Sequence, residues 1–404
     1  MPETRPRRPA APRRLRWTAG LALGGALALL AGCADFSSEA APNSWQQAPT
    51  LSPEAPPNPV LPGQAGESAD NGPGQPQQQT TVPPPKGCQD FNPAVIATCL
   101  NPISAIAALP GTDDDPVGLA AERTTGRILR VHKGDQAAVL ATLQVNTAGD
   151  GGLTGLALSP TYTQDQLVFA YVTTATDNRV MRIAPGDTPK PVLTGIPRGA
   201  KDNRGVLAVD HKGELLVATG DAGNPAAARN PASLAGKVLR IDVDGHPAPD
   251  NPDPTSAIVS SGLTDPGGMC TSTDGSKAWV TDQEATQDVL FRLTVGQPLA
   301  EPAWAWPDKP GVAGCAAFTT SVMVAASTAG NVQSLALNSD GSFTGKPQIL
   351  LQGTQGFGRI SGMDLIDDKG AMAGTVNRAT GGKPASSDDR VVIITSQPAG
   401  GGQD

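Results

Sequence analysis

Few residues of this chain have both the type and the spacing to do chemistry. Its three histidines are scattered: His132 follows an alternating strand, His211 sits in the turn Asp210-His211-Lys212-Gly213, and His246 lies in a Pro-rich loop. None stands in a nucleophile or metal motif; His-Glu-x-x-His, Gly-x-Ser-x-Gly and nucleotide-binding glycine loops are all missing. Asp242-Val-Asp244-Gly245 has the start of a calcium loop but no later oxygen ligands and no closing Glu, so it reads as a turn. Asp113-Asp114-Asp115 reads as a solvated loop, with cation binding as the other reading. Cys88, Cys99, Cys270 and Cys315 have no Cys-x-x-Cys spacing, which speaks against zinc. An even count in an exported chain suggests two disulfides; of the three pairings, Cys88–Cys99 and Cys270–Cys315 are favoured as neighbours in sequence.

The elements that carry these residues are short β-rich runs separated by Gly, Asp, Asn and Pro turns. Only 93–109 has room for a helical turn or two. A motif recurs: Arg127-Ile-Leu-Arg-Val131, Arg179-Val-Met-Arg-Ile183, Lys237-Val-Leu-Arg-Ile241 and Val289-Leu-Phe-Arg-Leu293, with fainter copies at 332–337 and 390–394. Gly-apolar strand starts accompany it at Gly118, Gly155, Gly205, Gly268 and Gly362. Turns such as Asp274-Gly275 and Asp340-Gly341 join strands within a unit. Units of ~50 residues with four short strands predict an all-β fold, a six-bladed β-propeller, since a β-sandwich has no such period. The basic residue opening each motif is expected on an outer strand with its head in solvent.

Ahead of the repeats, Arg5, Arg7, Arg8, Arg13, Arg14 and Arg16 precede an apolar stretch of Ala, Leu and Gly that ends Leu30-Ala31-Gly32-Cys33. A basic start, an apolar middle of about 15 residues and a small-residue cleavage site predict a signal peptide over 1–32, too short to span a bilayer. The ending resembles a bacterial lipobox, in which the cysteine becomes the lipidated, palmitate-bearing first residue. This places the protein on the outer face of the cell membrane as a lipoprotein, with the membrane as a partner through Cys33; Arg13-Arg14 leaves Sec or twin-arginine export open. Residues 33–87 are rich in Pro, Gln, Ser and Gly and form a predicted disordered tether. The propeller is expected over 88–397 and a flexible tail over 398–404. Removing 1–32 takes away six Arg and one Glu, leaving 24 basic and 37 acidic residues. A mature chain this acidic argues against nucleic acid as a partner.

Several strings resemble the glucose/sorbosone dehydrogenases, quinoproteins that use pyrroloquinoline quinone (PQQ) and calcium on a six-bladed propeller. They are 118–131, Gly151-Gly-Leu-Thr-Gly-Leu-Ala-Leu-Ser-Pro160, 205–221, Leu234-Ala-Gly-Lys-Val-Leu-Arg-Ile-Asp-Val-Asp-Gly245, Trp304-Ala-Trp-Pro307 and Gly358-Arg359-Ile360. The resemblance covers nearly the whole domain, and a lipid anchor joined to it is similar to actinobacterial envelope lipoproteins of the LppZ type.

The resemblance also assigns site residues. The family's His-Asn-Gly-Gly run, which supplies the base for the sugar C1 hydroxyl, here reads Asp202-Asn203-Arg204-Gly205. Asp202 therefore holds the base position, Asn203 lies beside it, and Asp221 of the Gly-Asp pair is kept. The run that gives the cofactor an Arg and an Asn reads Gly262-Leu263-Thr264-Asp265-Pro266, and the Arg-Ile-Arg gripping the quinone carboxylates keeps Arg359 but ends in Ser361. Thr328 aligns with the family's lysine, and Glu284-Ala285 with a Gly-Pro pair that offers calcium its carbonyls. No metal ligand is assigned, and no cofactor follows from these residues beyond the PQQ and calcium the family implies. These exchanges predict an axial pocket turned anionic, hostile to a tricarboxylate quinone. An aspartate is also a weaker base at neutral pH than a histidine. Two functions follow: a surface protein binding a cation, sugar or envelope ligand on a propeller whose quinone site is lost, or a PQQ-dependent aldose dehydrogenase with Asp202 as base and Arg359 as cofactor anchor.

Overall fold

The computed structural model describes residues 82–396. The signal peptide, Cys33, the tether up to residue 81 and the tail lie outside the described residues. Six four-stranded antiparallel sheets follow one another as blades around an axis. Their innermost strands are Ile103–Ala108, Leu153–Leu158, Gly205–Val209, Pro266–Thr271, Val312–Ala317 and Ile360–Asp367. The recurring motif forms the third strand of every blade, as in Arg127–His132 and Lys237–Ile241. Alternation along these strands buries one face against each neighbouring blade, so the core is a ring of inter-blade clusters such as Leu119, Ile128, Leu153 and Val168 between blades 1 and 2.

The sixth blade takes its outermost strand, Val95–Ala97, from the start of the domain, where it pairs with Val391–Thr395. This closes the ring through contacts distant in sequence. Leu100 and Asp389 exchange backbone hydrogen bonds of 3.0 Å, and Arg390 meets Asp388 at 2.8 Å and Asp90 at 3.2 Å. The Cys88–Cys99 disulfide brackets the closing strand, and Cys270–Cys315 joins the inner strands of blades 4 and 5. Both bridges pair as the sequence predicts.

Three expectations are corrected. Residues 93–109 contain two strands, Val95–Ala97 and Ile103–Ala108, and no helix; ladder partners from 117–122 and 391–395 override the weak helical preference of an Ala-rich run. Gly118 belongs to the second strand of its blade rather than to a strand start. The basic residues opening the repeats are also not solvated heads. Lys237 is 1% exposed and donates to the carbonyls of Ala227, Ala228 and Ala235, Arg127 pairs with buried Glu122, and Arg390 is 8% exposed. Each ties a strand end to the loop above it.

The inner-strand glycines set the width of the axis. A Cβ on Gly268 would meet Ala313 O and Gly314 Cα at 2.6 Å, and one on Gly362 would meet Ala105 Cα at 2.8 Å. Backbone therefore packs on backbone across the blades, which only glycine permits. The result is a waist of about 30 Å³, lined by Gly155, Gly268, Gly314 and Gly362, between a wider mouth at each end.

Candidate functional site

All six inner strands begin at one end of the axis, here called the upper mouth. A cavity of about 330 Å³ opens there and takes side chains from every blade, including Ser104 and Arg123, Asp150 and Thr154, Arg204, Asp265 and Gln283, Thr328, Arg359 and Ser361. Two kinds of position supply them. Some precede an inner strand, as Arg204 precedes Gly205 and Arg359 precedes Ile360; others end or follow a second strand, as Arg123 follows Glu122 and Gln283 ends Ala278–Gln283.

Arg204 organises the site. Its Nε donates to Asp265 Oδ1 at 2.8 Å, and its Nη2 donates to Asp265 Oδ2. This fork-to-carboxylate pair is strong and directional. Asp150 lies alongside and accepts the backbone N–H of Asn203 at 2.9 Å. Carboxylate oxygens of Asp150, Asp202 and Asp265 come within 4.8 Å of one another. Arg204 lies among these acids, and Lys201 Nζ reaches Asp202 Oδ2 at 2.7 Å. Burial works against the Arg204 charge, but the carboxylates of Asp265 and Asp150 outweigh it and keep the guanidinium protonated. Burial pushes Asp265 up to about 6, with Arg204 opposing the rise and Asp150 adding to it. Beneath them Asp282, fully enclosed, accepts the N–H groups of Thr264 at 2.8 Å and Asp265 at 2.6 Å; burial pushes it up to about 8, so it holds a proton at neutral pH.

The sequence-assigned residues divide. Asp265 and Arg359 line the cavity. Asp202, Asn203, Asp221 and Thr264 are not among its lining residues. Asn203 is buried and turned onto its own loop, with Oδ1 accepting from Gly199 N at 2.8 Å and Nδ2 donating to Gly199 O at 3.1 Å. Asp221 is buried and accepts from Gly223 N at 2.7 Å, while its N–H ties down the Thr264 carbonyl at 2.8 Å; burial raises its pKa, and Asp202 adds to the rise. Glu284 and Ala285 turn their carbonyls to Lys309 Nζ, at 2.5 and 3.1 Å. An ammonium thus sits at the carbonyl pair aligned with the family's calcium donors.

The expected anionic pocket is not what forms. Arg123, Arg204 and Arg359 face Asp150 and Asp265, and Lys201 answers Asp202. The sequence assigns no site role to either Arg123, which lies within the 118–131 string, or Asp150, which precedes the 151–160 string. The signal for Arg123 is positional, since places at or just after the second strands of blades 4 and 5 carry Gln283 and Thr328, which also line the cavity. Arg123 Nη1 donates to Gly151 O at 2.7 Å; burial lowers its pKa, with Asp150 opposing and Arg204 adding to the fall. Arg359 Nη1 donates to Thr380 O at 2.9 Å, and its Nε is buried without a hydrogen-bond partner.

Against known proteins, a profile for glucose/sorbosone dehydrogenases matches residues 104–296. The PQQ-bound aldose sugar dehydrogenase of Streptomyces coelicolor is 28% identical with a TM-score of 0.68, over 77% of this chain and 99% of that one. A putative oxidoreductase (glucose dehydrogenase) of Thermus thermophilus is 27% identical with a TM-score of 0.65, over 74% and 98%. The apo aldose sugar dehydrogenase of Escherichia coli, at 19% identity, TM-score 0.64 and coverage of 75% and 99%, shares the fold. No curated protein sequence matches significantly.

Proposed function

We propose that this chain, which resembles the glucose/sorbosone dehydrogenases, keeps their propeller as a ligand-binding protein, lipid-anchored through Cys33 to the outer face of the membrane, without quinone redox chemistry. One observation carries this reading: Asp202, at the position aligned with the family's base, is paired with the Lys201 ammonium at 2.7 Å rather than left free to take a proton.

The implied cofactors do not fit the donor set. A tricarboxylate quinone would meet Arg123, Arg204 and Arg359 but also Asp150 and Asp265, and Arg204 is already bound to Asp265, so one net positive charge would face three negative ones. The carbonyls of Glu284 and Ala285 hold the Lys309 ammonium in place of a divalent ion. The rival reading, a PQQ-dependent aldose dehydrogenase with Asp202 as base, gains from Arg123 and Arg204 in the pocket and from the similarity to the PQQ-bound Streptomyces enzyme.

Titration of the full chain with PQQ and calcium, followed by dye-linked aldose oxidation, separates the two. The expected outcome is no binding tighter than ~100 μM and no turnover. Micromolar binding with turnover lost in Asp202→Ala would sink the non-redox reading. For the anchor, Cys33→Ala is expected to release the protein from the membrane fraction, and retention in that fraction would refute it.

A further inference from the structure

We propose that the upper cavity recognises a singly charged carboxylate bearing several hydroxyls, a uronate or aldonate, with Arg123 and Arg359 taking the carboxylate and Asp150 and Asp265 taking the hydroxyls. The proposal rests on the reading of this cavity as a ligand site and names what it takes.

The first support is the state of the two arginines. Arg123 and Arg359 come from neighbouring blades, 1 and 6, and both are half-buried in the cavity wall. Each donates one hydrogen bond to a backbone carbonyl, and among the described residues neither is in an ion pair with an acid. By contrast, Arg204 in the same lining pairs with Asp265, and the buried third-strand arginines Arg240 and Arg390 pair with Asp210 and Asp388. A guanidinium carries five donors in a fixed fork, so each of these two keeps several unused. The Nε of Arg359 is buried and has no acceptor. A buried charged donor left unmade is costly, which leaves the Arg359 guanidinium short of partners.

The second support is charge balance. Arg123, Arg204 and Arg359 against Asp150 and Asp265 leave one positive charge in the lining. A monoanion neutralises it; a trianion overshoots, and a neutral sugar leaves it standing. The opposite wall selects hydroxyls over an ammonium. Asp265 is already matched by Arg204, and Asp150 lies in the field of Arg123 and Arg204 and accepts backbone N–H groups, so neither presents a bare negative charge. Each oxygen can still accept a hydroxyl hydrogen. Ser104, Thr154, Ser327, Thr328 and Gln283 complete a polar lining without an aromatic ring. The volume, about 330 Å³, is at the small end of ligand cavities (~300–1,000 Å³).

The test is calorimetric titration of the full chain with sodium glucuronate and sodium gluconate, alongside glucose, acetate and serine. Saturable binding of an acid, at least 10-fold tighter than of glucose, acetate or serine, is expected. Arg359→Gln and Arg123→Gln should each weaken it at least 10-fold, with unchanged far-UV circular dichroism. Should Arg123→Gln fail to fold, Arg359→Gln decides alone, since Arg359 makes its contact to Asn377 through the backbone N–H. No binding of either acid, equal binding of glucose, or acid binding indifferent to the folded variants would each overturn the proposal. Quinone turnover would defeat the non-redox reading and leave the acid titration to decide this inference by itself.

Discussion

The two mouths of the axial channel are built on the same inner strands, yet they differ in nearly every chemical respect. The upper one holds three arginines and two aspartates in about 330 Å³. The lower one is larger, about 470 Å³, and is walled by Leu156, Leu207, Met269 and Met363 with Asp364 as its one charged side chain. Asp364 Oδ2 accepts from Ala108 N at 2.8 Å and so satisfies an inward-facing N–H of the neighbouring blade, a structural task. Size is therefore a poor guide to chemistry in this molecule. What distinguishes the mouths is the supply of side chains: at the upper end the blade-to-blade crossings and the inner hairpins both point polar residues at the axis. At the lower end the strands finish on apolar residues and short turns.

This contrast can be broken most severely through the disulfide at the lower mouth. Replacing Cys270 and Cys315 by Ala removes a bridge of sequence separation 45, and chain-entropy arithmetic puts the cost at about 4 kcal/mol. Urea denaturation measures it, and ligand binding at the upper mouth should survive in the folded protein. Unchanged stability would mean that the lower ends of blades 4 and 5 need no tie.

Arg204→Ala acts on the upper mouth and should cost about 3 kcal/mol at pH 8, by leaving Asp265 buried with no partner. The loss should shrink at pH 5, where Asp265, pushed up to about 6 even with Arg204 present, can take a proton. A loss independent of pH would show that the pair is not electrostatically coupled to the fold.

Asp364→Asn tests the lower mouth. Burial pushes Asp364 up to about 6, above the ~3.9 of an exposed aspartate. The native state then holds a proton that the unfolded chain has lost, so this group's contribution to stability falls as pH rises from about 4 to 6 and is gone above. The variant should flatten the stability profile by roughly 2 kcal/mol across that window, relative to the parent. An identical slope in both would refute the burial argument. The smallest effect concerns Lys309. Lys309→Ala should barely move the melting temperature, but the variant should gain a stabilising response to millimolar calcium that the parent does not show. A parent stabilised by calcium would instead point to an open metal seat.

Periodicity makes the architecture legible. Short strand runs, divided by Asp-Gly and Gly-rich turns, repeat at a spacing that only radial packing accommodates, and the third-strand motif falls at the same place in all six blades. The first inner strand is hidden because Ile103–Ala108 carries three alanines and no glycine start. The site is legible only in part. Asp265 and Arg359 reach the cavity as motif alignment places them, whereas Asn203, Asp221 and Thr264 brace loops behind it.

The amino-acid order by itself determined the repeat, the closure of its strands into blades and the pairing of four cysteines, because these depend on short-range pattern and on partners set by the period. Only the tertiary structure decided the charge of the pocket. Arg123 and Asp150 stand 81 and 54 positions before Arg204, and nothing local tells a side chain which others it will meet at the axis. Electrostatics depends on distance in space, and a propeller brings six distant segments to one point.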